Sequence, residues 1–134
     1  MIRLAAIVAG VSCGLCGLAT STLATEWIAC SSPDGGASMD ILVGSVDVLS
    51  IAGMTVTVGD KVWATDPAYG PGDPVIVGQA FEDAETLRVD AVDSGYVVLA
   101  SLRLFKASEG EDALYAGTLR IPGHGAWAVA CTGP

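Results

Sequence analysis

The sequence predicts an all-β domain behind an export leader, and three observations carry that prediction. No apolar pattern of helical period survives beyond residue 26; short alternating or continuous apolar stretches recur between clusters of Gly, Pro, Asp and Ser. About nine such stretches with turns at regular spacing fit a small antiparallel β-sandwich or barrel. Two of the four cysteines, Cys30 and Cys131, fall in the first and last of these strands, so a disulfide is expected to staple the ends of the domain together.

Residues 1–24 read as a signal peptide. Arg3 supplies the positive start, Leu4 to Leu18 is an uncharged apolar helix former, and Thr22-Leu23-Ala24 places small side chains where a signal peptidase reads. The stretch approaches the roughly 20 apolar residues of a spanning helix. Glycines at 10, 14 and 17 and the small-residue exit favour cleavage instead. Cys13-Gly14-Leu15-Cys16 has C-x-x-C spacing but lies inside the apolar run, without the helix N-terminus that would lower a thiol pKa. It reads as small apolar side chains. Residues 25–134 then form a single periplasmic or secreted domain, in contact with membrane only through the leader.

The elements follow in order. Glu26 to Ser31 is the first strand, ended by Pro33-Asp34-Gly35-Gly36. Ser38 to Val43 and Ser45 to Ile51 are separated by Gly44. Met54 to Val58 and Lys61 to Thr65 flank Gly59-Asp60, a two-residue loop with Gly first, as a type II′ hairpin requires. Asp66 to Pro74 holds three of the six prolines and is a loop. Val75 to Phe81, Thr86 to Val92 and Tyr96 to Lys106 are joined by Glu82–Glu85 and by Asp93-Ser94-Gly95. Leu114 to Ile121 and Ala126 to Thr132 complete the set around Pro122-Gly123-His124-Gly125. Connections this short imply a mostly antiparallel meander, since parallel crossovers need a dozen or more residues.

Strand parity sharpens the terminal pair. Trp127, Val129 and Cys131 share one face of a strand, and Ile28 shares the face of Cys30. An internal disulfide therefore brings Ile28 and Val129 into the core, packs Trp127 beside it and, in the absence of a bulge, leaves Trp27 facing outward. Closing a loop of about 100 residues removes up to about 4.7 kcal/mol of unfolded-state entropy in the chain-entropy account.

Charge and composition exclude several function classes. From Thr25 onward five bases face fifteen acids, a formal balance of −10. Nucleic acid and anionic lipid surfaces are poor partners for such a chain. His124, the one histidine, sits at a hairpin tip, and neither a Gly-x-Ser-x-Gly elbow nor a Ser-x-x-Lys follows the leader. One histidine and a paired set of cysteines cannot assemble a zinc site. Glu82, Asp83, Glu85, Asp90 and Asp93 are dense in carboxylates but lack the spacing of an EF-hand loop, and Arg88 and Asp90 share the face opposite Leu87 and Val89. No glycine-rich phosphate loop opens a helix. Neither catalytic residues nor a metal or cofactor are expected.

What remains is a non-enzymatic binding or interaction module. Its best binding loop is Asp66–Pro74, where Pro and Gly stiffen and expose Tyr69 between Asp66 and Asp73. The opposing expectation is that the loop folds Tyr69 back over the sheet. In bulk the chain is similar to small exported inhibitors of c-type lysozyme, which are acidic, disulfide-bonded β-barrels. The resemblance covers composition and Ser94-Gly95-Tyr96; that family's Ser-Gly-x-x-Tyr spacing is not met, because Tyr96 follows Gly95 directly. It implies an inhibitor of a basic cell-wall hydrolase. A role in envelope assembly through an exposed edge strand such as Ser38–Val43 is a further expectation.

Overall fold

The computed structural model describes residues 25–44 and 48–133. The expected leader, with Cys13 and Cys16, lies outside the described residues. Ten strands follow one another: β1 Thr25–Ser31, β2 Ala37–Gly44, β3 Ser50–Val58, β4 Lys61–Ala64, β5 Asp73–Pro74, β6 Ile76–Glu82, β7 Thr86–Val92, β8 Val98–Glu109, β9 Asp112–Ile121 and β10 Gly125–Thr132. A single 3-10 turn, Pro67–Tyr69, interrupts the β4–β5 connection. Among the described residues no helix is long and apolar enough to cross a membrane.

All ten strands form one sheet in the order β5-β4-β3-β2-β1-β10-β9-β8-β7-β6, curled into a nearly closed barrel. Neighbours are antiparallel throughout, except that β5 runs parallel to β4. β3 and β6 approach each other across the remaining seam. The first strand pairs directly with the last, and Cys30 opposes Cys131 in that register, bridged by the disulfide with Cα atoms 4.0 Å apart. The bond therefore links two strands already joined by the ladder, in the middle of the sheet order.

Alternation along each strand fills the interior. Ile28 and Cys30, Met39 and Ile41, Met54 and Val56, Leu87 and Val89, Leu102 and Leu104, Leu119 and Ile121, with Val129, form a single buried cluster. Each large apolar side chain removed from water there contributes about 1.5–3 kcal/mol. Small residues occur where strands crowd: a β-carbon on Gly117 would stand 1.9 Å from the Arg103 carbonyl oxygen of β8. Among the described residues these side chains fill the barrel interior. The parity of the terminal strands holds: Ile28 and Val129 are buried, Trp127 packs against the core, and Trp27 is on the outer wall.

Of the strand boundaries that differ from the expectation, three bear on the surfaces described below. Ser50 and Ile51 do not end a separate strand; they begin β3, which runs unbroken through Gly53 to Val58. Gly53 is an in-strand residue whose missing side chain makes room for a ring from outside, not a breaker. Asp73 and Pro74 form a short parallel bridge beside Trp63 and Ala64, with the Val75 amide donating to the Ala64 carbonyl at 3.1 Å. A proline can stand there because the bridge is at the sheet edge. Tyr96 and Val97 belong to the β7–β8 turn, since Tyr96 adopts φ 63°, which no strand residue has. The Gly59-Asp60 hairpin is as read: Val58 pairs with Lys61, and of the two loop residues Gly59 alone has positive φ.

Candidate functional site

The Asp66–Pro74 loop is built from its own polar groups. The Asp66 carboxylate accepts from the Ala68 amide at 2.8 Å, and the Tyr69 amide donates to the Asp66 carbonyl at 3.0 Å, closing the 3-10 turn that Pro67 starts. Asp73 pairs with Lys61, whose ammonium also lies 5.3 Å from the Trp63 ring centroid. Tyr69 does not project. Its ring lies over Gly53 of β3 and meets Trp27 of β1 edge to face, centroids 5.5 Å apart. Leu42 is the cross-strand neighbour of both Trp27 and Gly53 on this wall, and the two rings leave it buried. The loop thus caps the outer face, leaving beside it a cleft of about 600 Å³ lined by Ala64, Thr65, Pro67 and Gly70 to Gly72. Tyr69 and Trp27 come together; the carboxylates of Asp66 and Asp73 do not converge with them.

Glu82, Asp83 and Asp90 of the carboxylate cluster are likewise engaged one by one. Asp83 Oδ1 accepts from the amides of Glu85 (2.9 Å) and Thr86 (2.7 Å) and from the Thr86 hydroxyl, which closes the β6–β7 turn. Those bonds, the Glu85 amide first, hold its carboxyl below the usual range, and the Lys106 charge adds to them. Glu82 pairs with Lys106 at 2.8 Å. Arg103 Nη1 stands 2.8 Å from Asp90 Oδ1 while its N–H groups are directed at the Val89 and Leu102 carbonyls, so that contact is electrostatic, not a directed hydrogen bond. Among the described residues no three of His, Cys, Asp and Glu gather to hold a metal. His124 lies on the β9–β10 turn, its ring edge-on to Trp63 at 5.8 Å.

Asp93 does something different. Its Oδ1 accepts from the Gly95 amide at 2.8 Å and the Val97 amide at 2.9 Å. Its backbone amide donates to the Val97 carbonyl and its carbonyl accepts from the Tyr96 amide, both at 3.0 Å. One aspartate thus holds Gly95, Tyr96 and Val97 of the β7–β8 turn. Tyr96 sits at the tip, 80% exposed and in the left-handed region, and Val97 beside it is 61% exposed. Val98 and, across Val92, Ile76 extend this apolar surface onto the barrel wall. Sequence reasoning missed this tip by assigning Tyr96 to a strand. The signal was Asp93-Ser94-Gly95, a side-chain-capped turn that cannot deliver the next residue directly into a ladder.

No protein-family model, no curated protein and no solved structure matches the chain.

Proposed function

We propose that this chain is an exported, non-enzymatic binding module that holds a partner protein with its Asp93–Val98 hairpin tip. One observation carries the reading: an exposed tyrosine is kept in a backbone conformation that costs a non-glycine residue on the order of 1–3 kcal/mol, and no packing interaction there repays it. Glycine would fold this turn more easily. Residues held against stability at a solvent-facing tip are characteristic of contact surfaces. Pinning by Asp93 lowers the ordering cost on binding, and Tyr is among the side chains that dominate interface energetics. The side chains of the described residues that fill the barrel interior direct binding to the outside.

A second reading is favoured by the same geometry. A convex, rigid tip on a body with formal charge −10 from Thr25 onward suits a concave, basic partner, and inhibition of a basic cell-wall hydrolase is one such role. The test is affinity capture from an envelope fraction with the wild-type protein and with Tyr96→Ala and Tyr69→Ala variants, alongside turnover of c-type lysozyme. Capture should be lost with Tyr96→Ala and kept with Tyr69→Ala. An unchanged capture profile in Tyr96→Ala would reject the tip, and unaffected lysozyme turnover would reject the inhibitor role toward that enzyme.

A further inference from the structure

The five cations that follow the leader are distributed unevenly. Lys61 and Lys106 are each paired with a carboxylate, Asp73 and Glu82. The other three, Arg88, Arg103 and Arg120, stand together on the outer wall of β7, β8 and β9, opposite in parity to Leu87, Leu102 and Leu119. Register places them in adjoining rows: Phe81, Arg88, Arg103 and Thr118 run across four strands, and Asp90, Ser101 and Arg120 form the row beside them. Asp90 answers Arg103. Arg88 and Arg120 carry no ion pair among the described residues. Phe105 borders the rows, 72% exposed, and Phe81 flanks Arg88.

This arrangement works against the sheet. Arg88 directly opposes Arg103, and like charges in cross-strand register are destabilising. Exposed phenylalanines beside them add no core packing. Arginine and aromatic side chains together on one outer wall are the composition of a protein–protein contact surface.

We infer that the β7–β9 wall is a second contact surface, which takes a short acidic segment of a partner protein bearing an apolar side chain. Guanidinium groups recognise carboxylates through paired N–H donors, and the unpaired Arg88 and Arg120 offer those donors on either side of Arg103. Phe81 and Phe105 accept the apolar residue. Charge limits the occupant's length. The turns at the Phe105 end carry Glu82, Asp83 and Glu85 on one hairpin and Glu109, Glu111 and Asp112 on the next. An extended polyanion or an anionic bilayer would overrun the wall and meet those acids within a Debye length of about 8 Å. A segment laid across Arg88, Arg103 and Arg120 crosses only two strand spacings, roughly 10 Å, and turns its apolar residue, not its carboxylates, toward the Phe105 end.

The experiment is fluorescence anisotropy with a short labelled peptide of Asp, Glu and Leu, with sedimentation on phosphatidylglycerol vesicles as the competing arm. Wild-type protein should bind the peptide saturably and less tightly at high ionic strength. Arg88→Gln combined with Arg120→Gln should weaken binding about tenfold, with a thermal midpoint no lower than that of wild type establishing that the barrel is intact. Tyr96→Ala should bind the peptide as wild type does, so this surface and the hairpin tip succeed or fail separately. No peptide binding, equal binding by the arginine variant, or tighter association with vesicles than with peptide each overturns the inference.

Discussion

The ring of Tyr69 occupies the space where a side chain at Gly53 would be: a β-carbon there would stand 2.5 Å from Tyr69 Cε2. This contact fastens the Pro-rich loop to the barrel and explains why β3 carries a glycine in mid-strand. Gly53→Ala is expected to displace the ring and to destabilise the protein by about 1–3 kcal/mol, the cost of overpacking a fitted contact. In a Tyr69→Ala background the same substitution should be neutral or slightly stabilising, because extended backbone accepts alanine and the unfolded chain loses freedom. Denaturant unfolding of the four proteins of this cycle gives the coupling. An equal cost in both backgrounds would mean that the ring does not account for Gly53.

How much of this was legible depended on the range of the interaction involved. Parity along a strand is local, so the opposed fates of Trp27 and Cys30 could be read from their odd spacing of three positions. The Cys30–Cys131 pairing followed from compartment, and only the sheet order revealed that the two strands are direct neighbours. Gly53 fell between two expected strands, Ser45–Ile51 and Met54–Val58, because the ring that requires it arrives from sixteen positions later, through a loop whose path no periodicity encodes. Tyr96 was assigned to a strand because one residue in the left-handed region leaves no trace in an apolar pattern. The arginine wall needs the registers of β7, β8 and β9 at once, and a bulge between Ala91 and Val92 shifts one of them.

The disulfide constrains the unfolded chain, since the native ladder already holds Cys30 opposite Cys131. Replacing both cysteines with alanine should therefore lower the unfolding free energy by about 2–5 kcal/mol while leaving the folded barrel recognisable by circular dichroism. Chemical denaturation of the variant beside wild type measures this. Loss of the folded signal in the absence of denaturant would mean that the strand pairing depends on the covalent bond.

Acid dependence is expected to have two opposing components. Burial raises the carboxyl of Asp40 on β2, against the Cys30 amide and the Thr55 hydroxyl, which lower it. An acid whose folded pKa is raised loses stability as pH climbs from the unfolded value through the folded one, because the unfolded chain releases the proton first. Asp40→Asn should thus raise the thermal midpoint at neutral pH, and the gain should shrink on acidification. Asp34 is lowered by the Ser32 hydroxyl and then the Gly36 amide, and Asp83 by the turn amides described above. Their contribution is present above the ordinary carboxylate range and is lost as pH falls through their depressed values. Asp83→Asn should flatten the acid limb of the stability profile, whereas Asp40→Asn should steepen it. Parallel profiles for the two variants would contradict the opposite signs.

The hairpin tip yields a prediction in which stability and binding move in opposite directions. Left-handed backbone costs Tyr96 roughly 1–2 kcal/mol. Glycine removes that cost but adds about 0.4–1 kcal/mol of unfolded-chain entropy. Tyr96→Gly should therefore stabilise the protein by about 0.5–1 kcal/mol, since a ring 80% exposed takes little packing with it. Tyr96→Asn, which tolerates this conformation without glycine's entropy, should do at least as well, and the β-branched Tyr96→Val should destabilise. All three should lose the partner held by the tip. Thermal midpoints and capture measured on the same preparations decide between strain kept for contact and strain kept for folding. If Tyr96→Gly unfolds earlier than wild type, the tyrosine supports the turn, and its exposure carries no functional meaning.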